Sequence, residues 1–129
     1  MGVEAGTSRA VNSYRDLLVW RAAMELALSC YTATKNFPSS EIYGLTSQIR
    51  RSSSSIPANI AEGYGREHRG SFVQFLRISQ GSLKELETHV ILSGKLEFLE
   101  RPGVENLLAQ AEEVGKMLRA MIRSLQRKQ

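Results

Sequence analysis

The sequence predicts an all-α protein, an antiparallel up-down-up-down four-helix bundle whose second helix is kinked by a proline. Three observations carry that expectation. Apolar residues recur at helical spacing in four successive stretches of the chain. The connections between those stretches are short, which places consecutive helices side by side and antiparallel. The third is that the apolar phase of the second stretch runs through Pro57 without a break, so the proline bends one helix and does not separate two.

Residues 1–13 are small, polar and without periodicity, which predicts a disordered segment or a cloning remnant ahead of a bundle spanning 14–129. The first helix is expected over about 16–36. Trp20, Met24, Ala27, Tyr31 and Thr34 form one stripe on it, and Val19, Leu26 and Cys30 widen that stripe sideways. A face so wide exceeds what one bundle contact needs and predicts a second buried surface, between subunits. Phe37-Pro38-Ser39-Ser40 ends this helix, and Ser39, Ser40 and Thr46 each qualify to cap the next.

The second helix carries Leu45, Ile49, Ile56 and Ile60 with small Ser52 and Gly63. Pro57 removes one backbone hydrogen bond and presses on the carbonyl of Ser53. The hydroxyls of Ser52, Ser53, Ser54 and Ser55 are placed to bond back to the preceding turn. Asn59 and Glu62, beside the proline, can answer loosened backbone groups, and Gly63 and Gly65 are expected to end the helix in left-handed conformations. Ser71-Phe72-Val73-Gln74 reads as a capping box opening the third helix, whose core face is Phe72, Leu76, Ser79, Leu83, Leu86 and Val90. Gly81 and Gly94 in that helix predict close approach of a neighbour. Pro102 opens the fourth helix at its first position. Val104, Leu107, Leu108, Ala111, Val114, Leu118, Met121, Ile122 and Leu125 make its apolar face, with glutamates early and arginines late to suit the helix dipole.

At 129 residues, 42% hydrophobic and 23% charged, the composition is that of one globular domain. A single cysteine excludes an internal disulfide and fits a reducing cytoplasm. No apolar run approaches the roughly 20 residues of a membrane span, so no membrane association is expected. Net charge is +4, and residues 1–40, 41–81, 82–103 and 104–129 contribute +1, +2, −1 and +2. Arg50-Arg51 and Arg66 with Arg69 bracket the second helix. Lys116, Arg119, Arg123 and Arg127 line one side of the fourth over roughly 16 Å. Such cations are phosphate contacts in one reading and a solvated, dipole-matched surface in the other.

Chemistry is sparse. Di-metal bundles require Glu-x-x-His pairs, but Leu86 and Gly65 stand three residues before His89 and His68. His89 lies one turn from Glu85, an ordinary surface pairing, and Cys30 sits on a helix stripe as a small core residue. Gly63-Tyr64-Gly65 with Gly70 lacks the lysine-serine ending and preceding strand of a phosphate loop, and reads as helix capping. The expectation is a protein that is not an enzyme and uses no cofactor or metal.

The stretch 43–66 resembles the four-helix-bundle family encoded by intervening sequences in bacterial large-subunit ribosomal RNA genes. Tyr14-Arg15-Asp16-Leu17 with Val19-Trp20, Phe37-Pro38 and Gly81-Ser82-Leu83-Lys84-Glu85-Leu86-Glu87-Thr88 extend the resemblance across nearly all of the chain. That family is related to the accessory variability protein of diversity-generating retroelements. The chain departs from the usual pattern at Ser52, Ser53 and Ser54, where small apolar residues are commoner, and at Glu97, where glycine is frequent. The resemblance implies a homo-oligomer, a pentamer, associated with RNA or DNA and with a protein partner such as a reverse transcriptase. It implies no enzymatic activity. The alternative is a structural or protein-interaction module without a nucleic-acid ligand.

Overall fold

The computed structural model describes residues 10–127. Among them, short 3-10 turns at Tyr14–Asp16 and Ser39–Glu41 accompany four helices, and there is no strand. The helices are α1 (Leu18–Thr34), α2 (Leu45–Gly65), α3 (Arg69–Lys95) and α4 (Arg101–Arg127). They pack as a four-helix bundle in which α1 and α3 each touch both α2 and α4.

The expectation for residues 1–13 falls, over 1–9, outside the described residues. Residues 10–13 belong to the fold: Val11 packs against the core. Ser13 Oγ accepts from the Arg15 N–H at 3.1 Å, and Asp16 Oδ2 accepts from the N–H groups of Asn12 and Ser13 at 2.9 and 3.2 Å. This reciprocal capping box turns the chain into α1. The buried line of α1 is Val19, Ala23, Leu26, Ala27, Cys30 and Thr34. Of the expected central stripe, Met24 and Tyr31 are exposed and Trp20 is half-buried. With apolar residues on more than half the circumference, the pattern did not define which arc faces the bundle.

None of Ser39, Ser40 and Thr46 caps α2. Its cap residue is Gly44, and the Glu41 carboxylate reaches forward to accept the Leu45 N–H at 2.9 Å. A Cβ on Gly44 would stand 2.5 Å from that carboxylate oxygen, so the glycine leaves room for a cap supplied from outside the helix. The helix is continuous through Pro57. Ser52 Oγ donates to Gln48 O at 2.8 Å, and Ser53 and Ser54 donate to the Arg50 and Arg51 carbonyls. Asn59 Nδ2 donates back to Ser55 O at 2.8 Å, as its place near the proline suggested.

The α2–α3 contact is a close seam of small residues. Ser79 Oγ donates to Ile56 O at 2.9 Å, and the Ser55 and Ser82 hydroxyls bond at 2.9 Å. Gly63 lies inside α2 and is buried; a Cβ there would stand 2.6 Å from Phe75 Cβ. Its role is therefore close helix approach and not left-handed termination, and Gly65 is likewise helical. The left-handed residue after α2 is Glu67, at φ 56°. The expected capping box at Ser71 does not open α3 either. His68, in extended backbone, accepts the Ser71 N–H on Nδ1 at 3.1 Å, so the helix starts at Arg69.

At the far end of α3, Phe98 N–H bonds to Ser93 O and Glu97 N–H to Gly94 O, the paired bonds of a Schellman turn. Its left-handed position is occupied by Glu97, at φ 66°, where glycine is favoured. Gly94 permits close approach, because a Cβ would fall 2.7 Å from Val104 Cγ2, whereas Gly81 has open space around it. Pro102 takes the second position of α4, still within the first turn, where its missing N–H costs nothing. The expected core faces of α3 and α4 are buried, apart from half-buried Val104 and Leu108.

Candidate nucleic-acid interface

The α2–α3 connection, the residues ahead of α1, the first turn of α3 and the end of α4 meet around one open cavity of about 540 Å³. Val11, Asn12, Gly63, Tyr64, Glu67, His68, Arg69, Phe72 and Leu125 line it. Residues 10–21, 62–77 and 119–127, the segments that reach it, carry eight cations, Arg15, Arg21, Arg66, Arg69, Arg77, Arg119, Arg123 and Arg127, of which Arg119 lines a separate groove between α3 and α4. Only Asp16, Glu62 and Glu67 oppose them, a net +5, while the other described residues sum to −2. The fold thus concentrates at one end a charge that the sequence spreads over three segments.

The cations differ in what already holds them. Arg21 pairs loosely with Asp16 at 3.9 Å. Arg66 pairs with Glu62 at 3.1 Å and stacks over the Phe75 ring at 5.0 Å. Arg69 lines the cavity. Arg119, Arg123 and Arg127 make no ion pair with the described residues and are exposed, so their charge faces solvent. Lys116 pairs with Glu113 at 3.7 Å.

Arg77 was missed by sequence reasoning. It stands seven residues, two helical turns, before Lys84, which lines a second groove beside Arg119, so it shares the α4-facing side of α3. That i, i+7 spacing was the available signal. Arg50 and Arg51 are not brought to this end. Arg50 Nε donates to Thr34 Oγ1 at 2.9 Å, and its guanidinium lies over the Tyr31 ring at 4.7 Å, joining α2 to α1. Arg51 bonds Gln48 at 3.2 Å and sits about 22 Å along the helix from Arg66. Pro57 and Gly63 are buried parts of the α2 packing surface, and Asn59 and Glu62 serve local bonds.

Burial pushes the Cys30 thiol up to about 12, only partly offset by a hydrogen bond with Ser53, so it stays protonated at neutral pH. No group of three His, Cys, Asp or Glu side chains able to hold a metal ion occurs among the described residues. His89 is half-buried, with Nε2 3.8 Å from Glu85 and Nδ1 without a partner among the described residues. No helix among the described residues is long and apolar enough to cross a membrane.

These features define a class: a small helical bundle with a cationic end. The chain belongs to the 23S rRNA-intervening sequence protein family, whose pattern matches residues 15–120. It is similar to the crystal structure of a protein of unknown function from the S23 ribosomal protein family of Bacteroides thetaiotaomicron. The TM-score is 0.73 at 27% identity, over 81% of this chain and 98% of that one. No curated protein matches the chain.

Proposed function

We propose that the protein is a non-enzymatic, cytoplasmic homo-oligomer that binds nucleic acid, RNA foremost, as an accessory to an RNA-handling enzyme such as a reverse transcriptase. The observation that carries this reading is the +5 end, with Arg119, Arg123 and Arg127 unpaired among the described residues. Clustered, unneutralised cations favour a polyanion by releasing its counterions. The proposal includes antiparallel helices. Partners fall in opposite order along paired helices, with Ser55 on Ser82 and Gly63 on Phe75, and Leu83 on Gly115 and Gly94 on Val104. It also includes a bend of α2 at Pro57, and Pro57→Ala should keep helical content while changing the oligomer mass.

Assembly is proposed through the outer face of α1, where Met24, Leu28 and Tyr31 are 37, 57 and 42% exposed. A ring would repeat the cationic end and multiply weak contacts. That same apolar face favours the second reading, a protein-interaction module whose basicity is incidental. Binding of structured RNA and duplex DNA over a salt series, with mass measured in the same buffer, separates the two. Salt-sensitive binding by a species several times the chain mass is expected; an oligomer that binds neither polyanion supports the second reading.

A further inference from the structure

The cationic end is not a flat electrostatic surface, because it contains a cavity. We infer that this cavity receives one unpaired nucleotide of a single-stranded or looped RNA, an inference that rests on the nucleic-acid reading above. Its volume, about 540 Å³, falls within the roughly 300–1,000 Å³ typical of small-ligand sites. Tyr64 and Phe72 supply aromatic walls, their rings edge to face with centroids 6.0 Å apart. Sequence-tolerant recognition of unpaired bases uses such aromatic surfaces inside a cationic groove. The polar lining is suited to the rest of the nucleotide. Arg69 brings a guanidinium, and Asn12 and Glu67 offer amide and carboxylate groups to a base edge. His68 accepts the Ser71 N–H on Nδ1, so its neutral ring carries the proton on Nε2 as a donor. Phosphates leaving the cavity meet a surface of net +5.

The second groove, about 650 Å³ between α3 and α4, lacks this character. Its lining mixes charges, Lys84 and Arg119 with Glu87 and Glu112, Lys84 being bonded to Glu87 at 3.1 Å, and no aromatic side chain lines it.

The test uses the full chain with two labelled probes at one salt concentration, a 12-nucleotide oligouridylate and a blunt 12-base-pair RNA duplex. Tyr64→Leu removes a ring while keeping bulk. Asn12→Trp obstructs the cavity from an exposed position and keeps the backbone N–H bond to Asp16. Each variant is expected to weaken oligouridylate binding about 5- to 30-fold and to leave duplex binding within about twofold. Arg123→Ala with Arg127→Ala should weaken both probes. Unchanged oligouridylate affinity in Tyr64→Leu and Asn12→Trp, with both probes still sensitive to the arginine pair, overturns the cavity and leaves the nucleic-acid reading standing. Equal loss of both probes in a correctly folded variant also overturns it, since a blunt duplex has no nucleotide to insert. Wild-type protein that binds neither probe overturns both.

Discussion

The two ends of the bundle are built alike and charged differently. Each joins two helices through a left-handed glutamate, Glu67 between α2 and α3 and Glu97 between α3 and α4. At the Glu97 end the connections close over one another, with the Phe37 and Phe98 rings 5.7 Å apart. Lys35, Lys95 and Arg101 are there outnumbered by Glu41, Glu97, Glu100 and Glu105. The Glu67 end stays open around a cavity and gathers arginines from three helices and the turn before α1. Equivalent backbone solutions thus leave one end slightly acidic with its connections packed on one another, the sealed end, and the other cationic and open. The second is the one to which the proposed polyanion site is assigned.

The comparison is broken most severely at Gly63, which holds α2 against α3 beside the cavity. Gly63→Ala forces a Cβ to within 2.6 Å of Phe75 Cβ and should cost about 1–3 kcal/mol, read from urea denaturation. Gly81→Ala is the matched control. It meets open space, and should stabilise the helix by about 0.5–1 kcal/mol. A destabilised Gly81 variant would mean that close packing is not what separates the two glycines.

Next in size is the His68 cap. His68→Ala removes the acceptor for the Ser71 N–H and should cost about 0.5–2 kcal/mol, while His68→Asn restores most of it in thermal melts. If both variants melt alike, the ring is not the cap.

The smallest effects compare the glutamates directly. Left-handed backbone costs a non-glycine residue about 1–2 kcal/mol, so Glu67→Gly and Glu97→Gly should each stabilise the fold, by about 0.5–1 kcal/mol after glycine's entropy is counted. Their effects on nucleic acid should differ. Glu67→Gly removes a carboxylate from among the arginines and should tighten binding of a blunt RNA duplex, which inserts no nucleotide, about twofold at low salt, whereas Glu97→Gly should not. Equal effects on affinity would erase the distinction between the ends.

Much of this architecture was legible in the sequence, for a definite reason. α2, α3 and α4 each carry one apolar stripe, and Ile49, Leu83 or Leu118 has one place to go. α1 was less legible because Trp20, Met24 and Tyr31 compete with Val19, Ala23 and Leu26 for the same description. The caps escaped because their acceptors are unconventional, a glutamate four residues upstream and a histidine ring. The left-handed positions escaped because glutamates occupy them, although the departure from glycine at Glu97 pointed to one. The cationic end could not be read linearly at all. Arg15, Arg69 and Arg123 lie more than fifty residues apart in turn, and only the packing of α1, α3 and α4 brings their segments together.

The most direct test is the salt slope of RNA binding measured for two double variants, one at each end. Arg119→Ala with Arg123→Ala removes unpaired cations from the open end; Lys35→Ala with Lys95→Ala removes as much charge from the sealed one. In correctly assembled protein the first pair should flatten the slope of log K against log salt by about 0.7–0.9 per lost contact. The second pair should leave slope and affinity unchanged. Identical slopes for both double variants and the wild-type protein would contradict the assignment of the cationic end as the nucleic-acid surface.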